Sequence, residues 1–260
     1  MNRILSTAST LVVAGSLALV GTQSASAAVT PGILSAGSTL YVFECDGDVS
    51  NDIVSIDPAT GETTVVGSST MDECWSGASY NAADGKIYVI SVNGWSDPYT
   101  LYSVDPTTGV FTTIGNLPNG ISAGALAIAP NGTAYLIDWD EELYSIDLTD
   151  ASVTSIADTD LDTSGDIYAF AINPVDGNAY VVRYGGDNKI FEVDLTDGTT
   201  TEVGADIRST TSAQVCALAF DENGTAWIQS ESNTSELWSG DITDFAATAE
   251  MQSQFLNPTD

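Results

Sequence analysis

Short apolar runs rich in aromatic and β-branched side chains recur along the chain, set between polar and Gly-containing segments. Thr39-Leu40-Tyr41-Val42-Phe43, Lys86-Ile87-Tyr88-Val89-Ile90, Thr133-Ala134-Tyr135-Leu136-Ile137, Asn178-Ala179-Tyr180-Val181-Val182 and Thr225-Ala226-Trp227-Ile228-Gln229 each centre on an aromatic residue. The aromatic falls at 41, 88, 135, 180 and 227, so successive copies are 47, 47, 45 and 47 residues apart. A second run follows in every unit and ends in Asp: Ile53 to Asp57, Leu101 to Asp105, Leu143 to Asp147, Ile190 to Asp194 and Leu237 to Asp241. A Thr/Val-rich run comes next, such as Thr63-Thr64-Val65-Val66. Ahead of the aromatic run lies an Ala-alternating one, as in Ala125-Leu126-Ala127-Ile128 and Ala169-Phe170-Ala171-Ile172. Short apolar runs of β-branched and aromatic residues bounded by turn signals are the pattern of buried β-strands. Each unit therefore predicts four strands and no helix.

The connections fit that reading. Asp84-Gly85, Asn131-Gly132, Asp176-Gly177 and Asn223-Gly224 separate the first two strands of their units, and such pairs mark tight hairpins because the central residues need positive φ. The Asp that closes each third strand opens a turn, where its carboxylate accepts backbone N–H groups. Four-stranded antiparallel units of 40–50 residues in tandem are the pattern of a β-propeller, whose innermost strands need small side chains near the axis. The fold class read here is all-β, a five-bladed β-propeller of four-stranded antiparallel blades after a cleaved signal peptide. The blades fall near 29–67, 74–115, 123–157, 167–204 and 214–255. Blade one is the least regular. Its inner strand is expected within 29–38, and Met251 to Asn257 are a further candidate for closing the ring.

The first 27 residues follow another pattern. Arg3 precedes an apolar stretch from Ile4 to Val20, and Ala25-Ser26-Ala27 then presents small residues at a cleavage site. These are the parts of a secretory signal, and the apolar run is short for a membrane span. The expectation is cleavage near Ala27, a single domain over 28–260 with no later membrane span, and a secreted or extracellular product that can associate with the cell surface.

Charge narrows the function classes. Five Lys and Arg stand against thirty-six Asp and Glu, with a formal net charge of −31 and no His. Nucleic-acid binding needs clustered cations to neutralise phosphates, so it is excluded. Catalysis through a His base and imidazole metal sites are excluded as well. With 43% hydrophobic and 16% charged residues the chain has material for a packed core, so the acids form a skin on a folded domain.

The units Leu101-Tyr102-Ser103-Val104-Asp105-Pro106-Thr107-Thr108-Gly109 and Ala125 through Tyr135 resemble the repeats of secreted bacterial propellers of the NHL, YVTN and lactonase-like families. The resemblance spans nearly the whole of 28–260. It implies the fold and leaves the activity open, because binders and lactonases share these scaffold residues.

Candidate chemistry concentrates in the loops from strand two to three and from strand four to the next blade, at what is here called the first face. Trp75, Trp95 and Trp139 fall outside the aromatic register and sit in these loops, near Asp138, Asp140 and Tyr184. Exposed indoles beside carboxylates suit stacking on sugar rings or a protein contact; plugging gaps between blades is the other reading. Asp158, Asp160 and Asp162 alternate as oxygen ligands for calcium would, although the segment lacks the Gly and Glu of the usual loop and reads equally as a solvated acidic turn. Cys45 and Cys74 are the expected disulfide, and Cys216 reads as a small buried hydrophobe. The functional expectation is a non-catalytic binding or interaction module for an extracellular glycan or protein. A calcium-dependent hydrolase or lactonase is the alternative, set back by inner strands without Asp or Glu.

Overall fold

The computed structural model describes residues 10–14, 39–43, 51–57, 60, 62–69, 74–93, 96–161, 167–183, 188–207, 211, 214–231 and 235–255. Among the described residues, twenty strands form five four-stranded antiparallel sheets. Blade one comprises β1 (Thr10–Ala14), β2 (Thr39–Phe43), β3 (Asn51–Ile56) and β4 (Thr63–Ser69). Blade two holds β5 (Cys74–Asn81), β6 (Lys86–Asn93), β7 (Ser96–Val104) and β8 (Phe111–Asn116). Blade three holds β9 (Ala123–Ile128), β10 (Ala134–Asp138), β11 (Glu142–Ile146) and β12 (Val153–Asp158). Blade four holds β13 (Ile167–Ile172), β14 (Ala179–Arg183), β15 (Ile190–Val193) and β16 (Thr200–Val203). Blade five holds β17 (Gln214–Phe220), β18 (Ala226–Glu231), β19 (Ser235–Gly240) and β20 (Glu250–Phe255). A 3₁₀ turn (Ile242–Asp244) and one helical turn, α1 (Phe245–Thr248), lie between β19 and β20.

The first strands of the blades line the axis. β5 touches β9, β9 touches β13, β13 touches β17, and β1 touches both β17 and β5, so the ring is closed. The buried side chains divide into five clusters, one per junction between adjacent blades. The first and second strands lie between neighbouring blades, so both of their faces are apolar: on β6, Tyr88 packs toward blade three and Ile87 toward blade one. Small residues on the inner strands are a steric need. A Cβ at Gly77 of β5 would lie 2.7 Å from the Leu126 backbone nitrogen of β9. At the rim, Gly67 of β4 meets Gly109 of the β7–β8 turn just as closely, a Cβ on Gly67 falling 2.7 Å from the Gly109 Cα.

The turns carry the predicted carboxylate caps. Oδ1 of Asp105, Asp147, Asp194 and Asp241 accepts both the amide and the hydroxyl proton of the Thr two residues on, at 2.6–2.9 Å. These bonds, led by the Thr hydroxyl, hold the Asp105, Asp147 and Asp194 carboxyls below the usual Asp value. A lowered folded-state pKa contributes stability above the unfolded value of ~3.9, which is lost as pH falls through the folded value. The triple variant Asp105→Asn, Asp147→Asn, Asp194→Asn should therefore show a shallower acid limb in melting temperature below about pH 4. An unchanged acid limb would remove the turn carboxylates from that account.

Blade one departs from the sequence expectation. Its inner position is occupied by Thr10–Ala14, which pairs antiparallel with β2 from Thr10 opposite Phe43 to Ala14 opposite Thr39. The stretch 29–38, expected there, lies outside the described residues. The other blades join their first two strands through short hairpins, whereas β1 and β2 are separated by residues 15–38. β1 lies inside the stretch that the sequence pattern marks as a leader. The C-terminal candidate for ring closure is the outermost strand of blade five, β20, paired with β19.

Candidate functional site

The inner strands of blades two to five begin at the first face and end in the hairpin leading to the second strand, so the two ends of the ring have different chemistry. At the first face, Trp75 is not an exposed aromatic. It lies on β5, is 1% exposed, stacks on Phe111 with ring centroids 5.2 Å apart, and meets Phe43 and Tyr102 edge-on. The expectation of a ligand-stacking Trp75 is corrected: the indole fills the junction of blades one and two, the gap-plugging role. Trp139 is half-buried. A Cβ on Gly124 would fall 2.6 Å from its Cδ1, so the indole lies over the bare backbone of β9. Trp95 and Tyr184 lie outside the described residues.

Asp138 is corrected as well. Its side chain is buried, with Oδ1 accepting the amides of Asp140 and Glu142 at 3.0 and 2.9 Å and Oδ2 accepting the Tyr144 hydroxyl at 3.2 Å. Burial pushes the Asp138 carboxyl above the usual Asp value despite these bonds, and the same environment raises the Tyr144 phenol. The carboxylate organises the β10–β11 turn and does not point to solvent. Asp140 is exposed beside it.

The alternating acids after β12 have a packing explanation. Asp158 and Asp160 are exposed while Thr159 and Leu161 between and after them are buried, and Thr159 donates its hydroxyl and amide to the Glu141 carbonyl. One side of an extended segment faces core and the other water, which produces the same spacing as a ligand loop. Asp162 lies outside the described residues, and among those described no three His, Cys, Asp or Glu side chains gather as metal ligands. Cys45 and the Cys74 side chain also fall outside the described set, and Cys216 is buried in β17.

Among the described residues, a concave feature lies at the opposite end. A cavity of about 160 Å³ opens on the axis where the inner strands finish, with Tyr80, Ile128, Phe170, Leu218 and Phe220 on its walls. Ser79, Asp221 and Glu222 are polar residues of its lining. The Ser79 Oγ accepts the Ile128 amide at 3.0 Å, tying β5 to β9 at the cavity wall. Asp221 is 1% exposed, and its Oδ1 accepts the amides of Asn223 and Thr225 at 2.9 Å each, which fixes the carboxylate at the mouth of the β17–β18 hairpin. Burial, and next the nearby Asp84, raise the Tyr80 phenol, so it stays protonated and available as a donor. Sequence reasoning recognised these inner strands as small and apolar, but not that the large residues between the alanines converge on a hollow. The signal available was the Phe at 170 and 220 and the acid at 221, each at the end of an inner strand.

No family model matches this chain, and no curated protein matches it. Among solved structures, one similar chain is a structural-genomics protein of unknown function from Bacteroides thetaiotaomicron, at TM-score 0.59 and 18% identity over 82% of this chain. The match spans 54% of that protein's length. Another is virginiamycin B lyase from Staphylococcus aureus, at TM-score 0.48 and 14% identity, covering 87% of this chain and 69% of the lyase. At these identities the likeness concerns the fold.

Proposed function

With the chain a five-bladed β-propeller repeat protein, we propose that it is an exported, non-catalytic binding module whose ligand site is the axial cavity at the hairpin end. The observation that carries this reading is the cavity itself: a hollow on the axis, apolar in its walls, with a few fixed polar groups at its mouth, as small-ligand sites are built. Its volume is close to the ~150 Å³ of an engineered apolar cavity that takes up benzene, so one ring-sized apolar group fits inside. The polar groups support recognition more than turnover. Ser79 and Asp221 are both engaged in backbone bonds that shape the wall. Export is supported by the leader pattern of residues 1–27. A glycan or protein contact at the first face loses support from the burial of Trp75 and Asp138.

Ala219 lines the cavity and packs at the junction of blades five and one, so Met there would overfill the wall and crowd the hollow. Ala219→Met should abolish the thermal stabilisation conferred by small aromatic ligands, while Trp139→Ala at the other end leaves it unchanged. Retained stabilisation in Ala219→Met together with its loss in Trp139→Ala would move the site to the first face. Ala82→Met, at an exposed lining residue of the blade-two hairpin, is the second variant should Ala219→Met fold poorly.

A further inference from the structure

Resting on the axial cavity as the binding site, we propose that its ligand is an amphiphilic amine: a ring-sized apolar body inside the cavity and a protonated amino group at the mouth beside Asp221. The lining is asymmetric in charge. Its walls are aromatic and aliphatic, its charged groups are Asp221 and Glu222, and none of its described lining residues is Lys or Arg. Asp221 is held at 1% exposure between Phe220 and the hairpin, with Oδ1 filled by two backbone amides. A carboxylate fixed in this way is a strong acceptor for a charged donor, because N⁺–H···O⁻ bonds are about twice as strong as neutral ones.

The surroundings add to the same preference. The hairpins around the mouth carry Asp84 and Asp176, with Lys86 as the cation on the blade-two hairpin. Tyr80, Phe170 and Phe220 are among the lining residues, and aromatic rings attract a cation held over their faces. The net charge of −31 raises the local concentration of cations and lowers that of anions. A carboxylate-bearing ligand of the same shape would meet uncompensated repulsion at Asp221. A neutral one would leave the apolar contacts intact and forgo the charged bond, so discrimination lies in the amino group.

The test uses the full chain and three probes of one shape: 2-phenylethylamine, 2-phenylethanol and phenylacetate, titrated calorimetrically at pH 7. The amine is expected to bind about tenfold or more tighter than the alcohol, with phenylacetate weakest and the preference shrinking at high salt. Asp221→Asn keeps an oxygen for the two backbone amides and should bring amine and alcohol to equal affinity. Glu222→Gln, on an exposed side chain, should reduce the preference less. Equal binding of amine and alcohol by the unaltered protein overturns the ligand class and leaves the cavity as a site. Failure of all three probes to bind overturns the cavity reading together with the class.

Discussion

A chain shortened to residues 28–260 is expected to melt about 10–20 °C below the full chain. The shortened form lacks β1, which in the structure pairs with β2 over five residues and touches the inner strands of blades two and five. Ladder hydrogen bonds contribute ~1 kcal/mol each, so the lost pairing amounts to roughly 5 kcal/mol before any packing is counted. Each kcal/mol shifts the melting temperature of a domain this size by about 2–4 °C. Removal of β1 also bares the inner edge of β2, and unpaired edges promote association, so the shortened chain should sediment more heterogeneously. Equal melting temperatures would show that Thr10–Ala14 contributes nothing and would return the inner position of blade one to 29–38, where the sequence pattern expects it. The comparison also bears on export. Cleavage at Ala27 and an inner strand at Thr10–Ala14 are exclusive in one molecule, and the intact mass of the exported protein distinguishes them.

The second large effect is expected at Trp75. Its indole is almost wholly buried among Phe43, Tyr102 and Phe111, in contact with two blades at once. Replacing a buried Trp by Ala costs about 3–5 kcal/mol through lost contacts and the cavity left behind. Trp75→Ala should therefore lower the melting temperature by roughly 10 °C or more, while Trp75→Phe keeps part of the stacking on Phe111 and falls between. Tryptophan fluorescence should lose a blue-shifted, unquenched component in the Ala variant. A Trp75→Ala protein that melts like the parent and loses only ligand binding would contradict the burial and restore the exposed-aromatic reading.

These two positions show where sequence reasoning reaches and where it stops. The repeat at Tyr41, Tyr88, Tyr135, Tyr180 and Trp227 made the blade count legible, because a period of about 47 residues survives any uncertainty about single strands. The Asp at the end of each third strand was legible as a turn cap for the same reason, and its Thr partner confirms the geometry. Trp75 was misread because periodicity assigns a residue to a strand or a loop by register, and β5 extends farther toward the first face than its neighbours, starting at Cys74. Asp138 was misread for a different reason. A buried carboxylate that caps a turn and an exposed one that binds a ligand look identical in sequence, and only its bonds to Asp140, Glu142 and Tyr144 separate them. The axial cavity was not legible at all. Its walls come from the ends of β5, β9, β13 and β17, some 45 residues apart in sequence, and their convergence is a property of the closed ring.

Among the described residues, the first face presents structural aromatics and turn carboxylates, and the hairpin end holds the hollow. In five-fold architecture the two ends are built from different connections, so loop length alone does not locate a ligand. Short hairpins such as those after Asn81 and Asp221 leave the axis uncovered, which is what a small ligand entering between the inner strands requires.

The account is tested most directly by locating a bound ligand. Crystals of the full chain soaked with a bromine-labelled phenylethylamine should give an anomalous peak on the axis between Phe170 and Phe220, with the amino group beside Asp221. A peak against Trp139 at the first face, or an axial cavity left without ligand at saturating concentration, would contradict it.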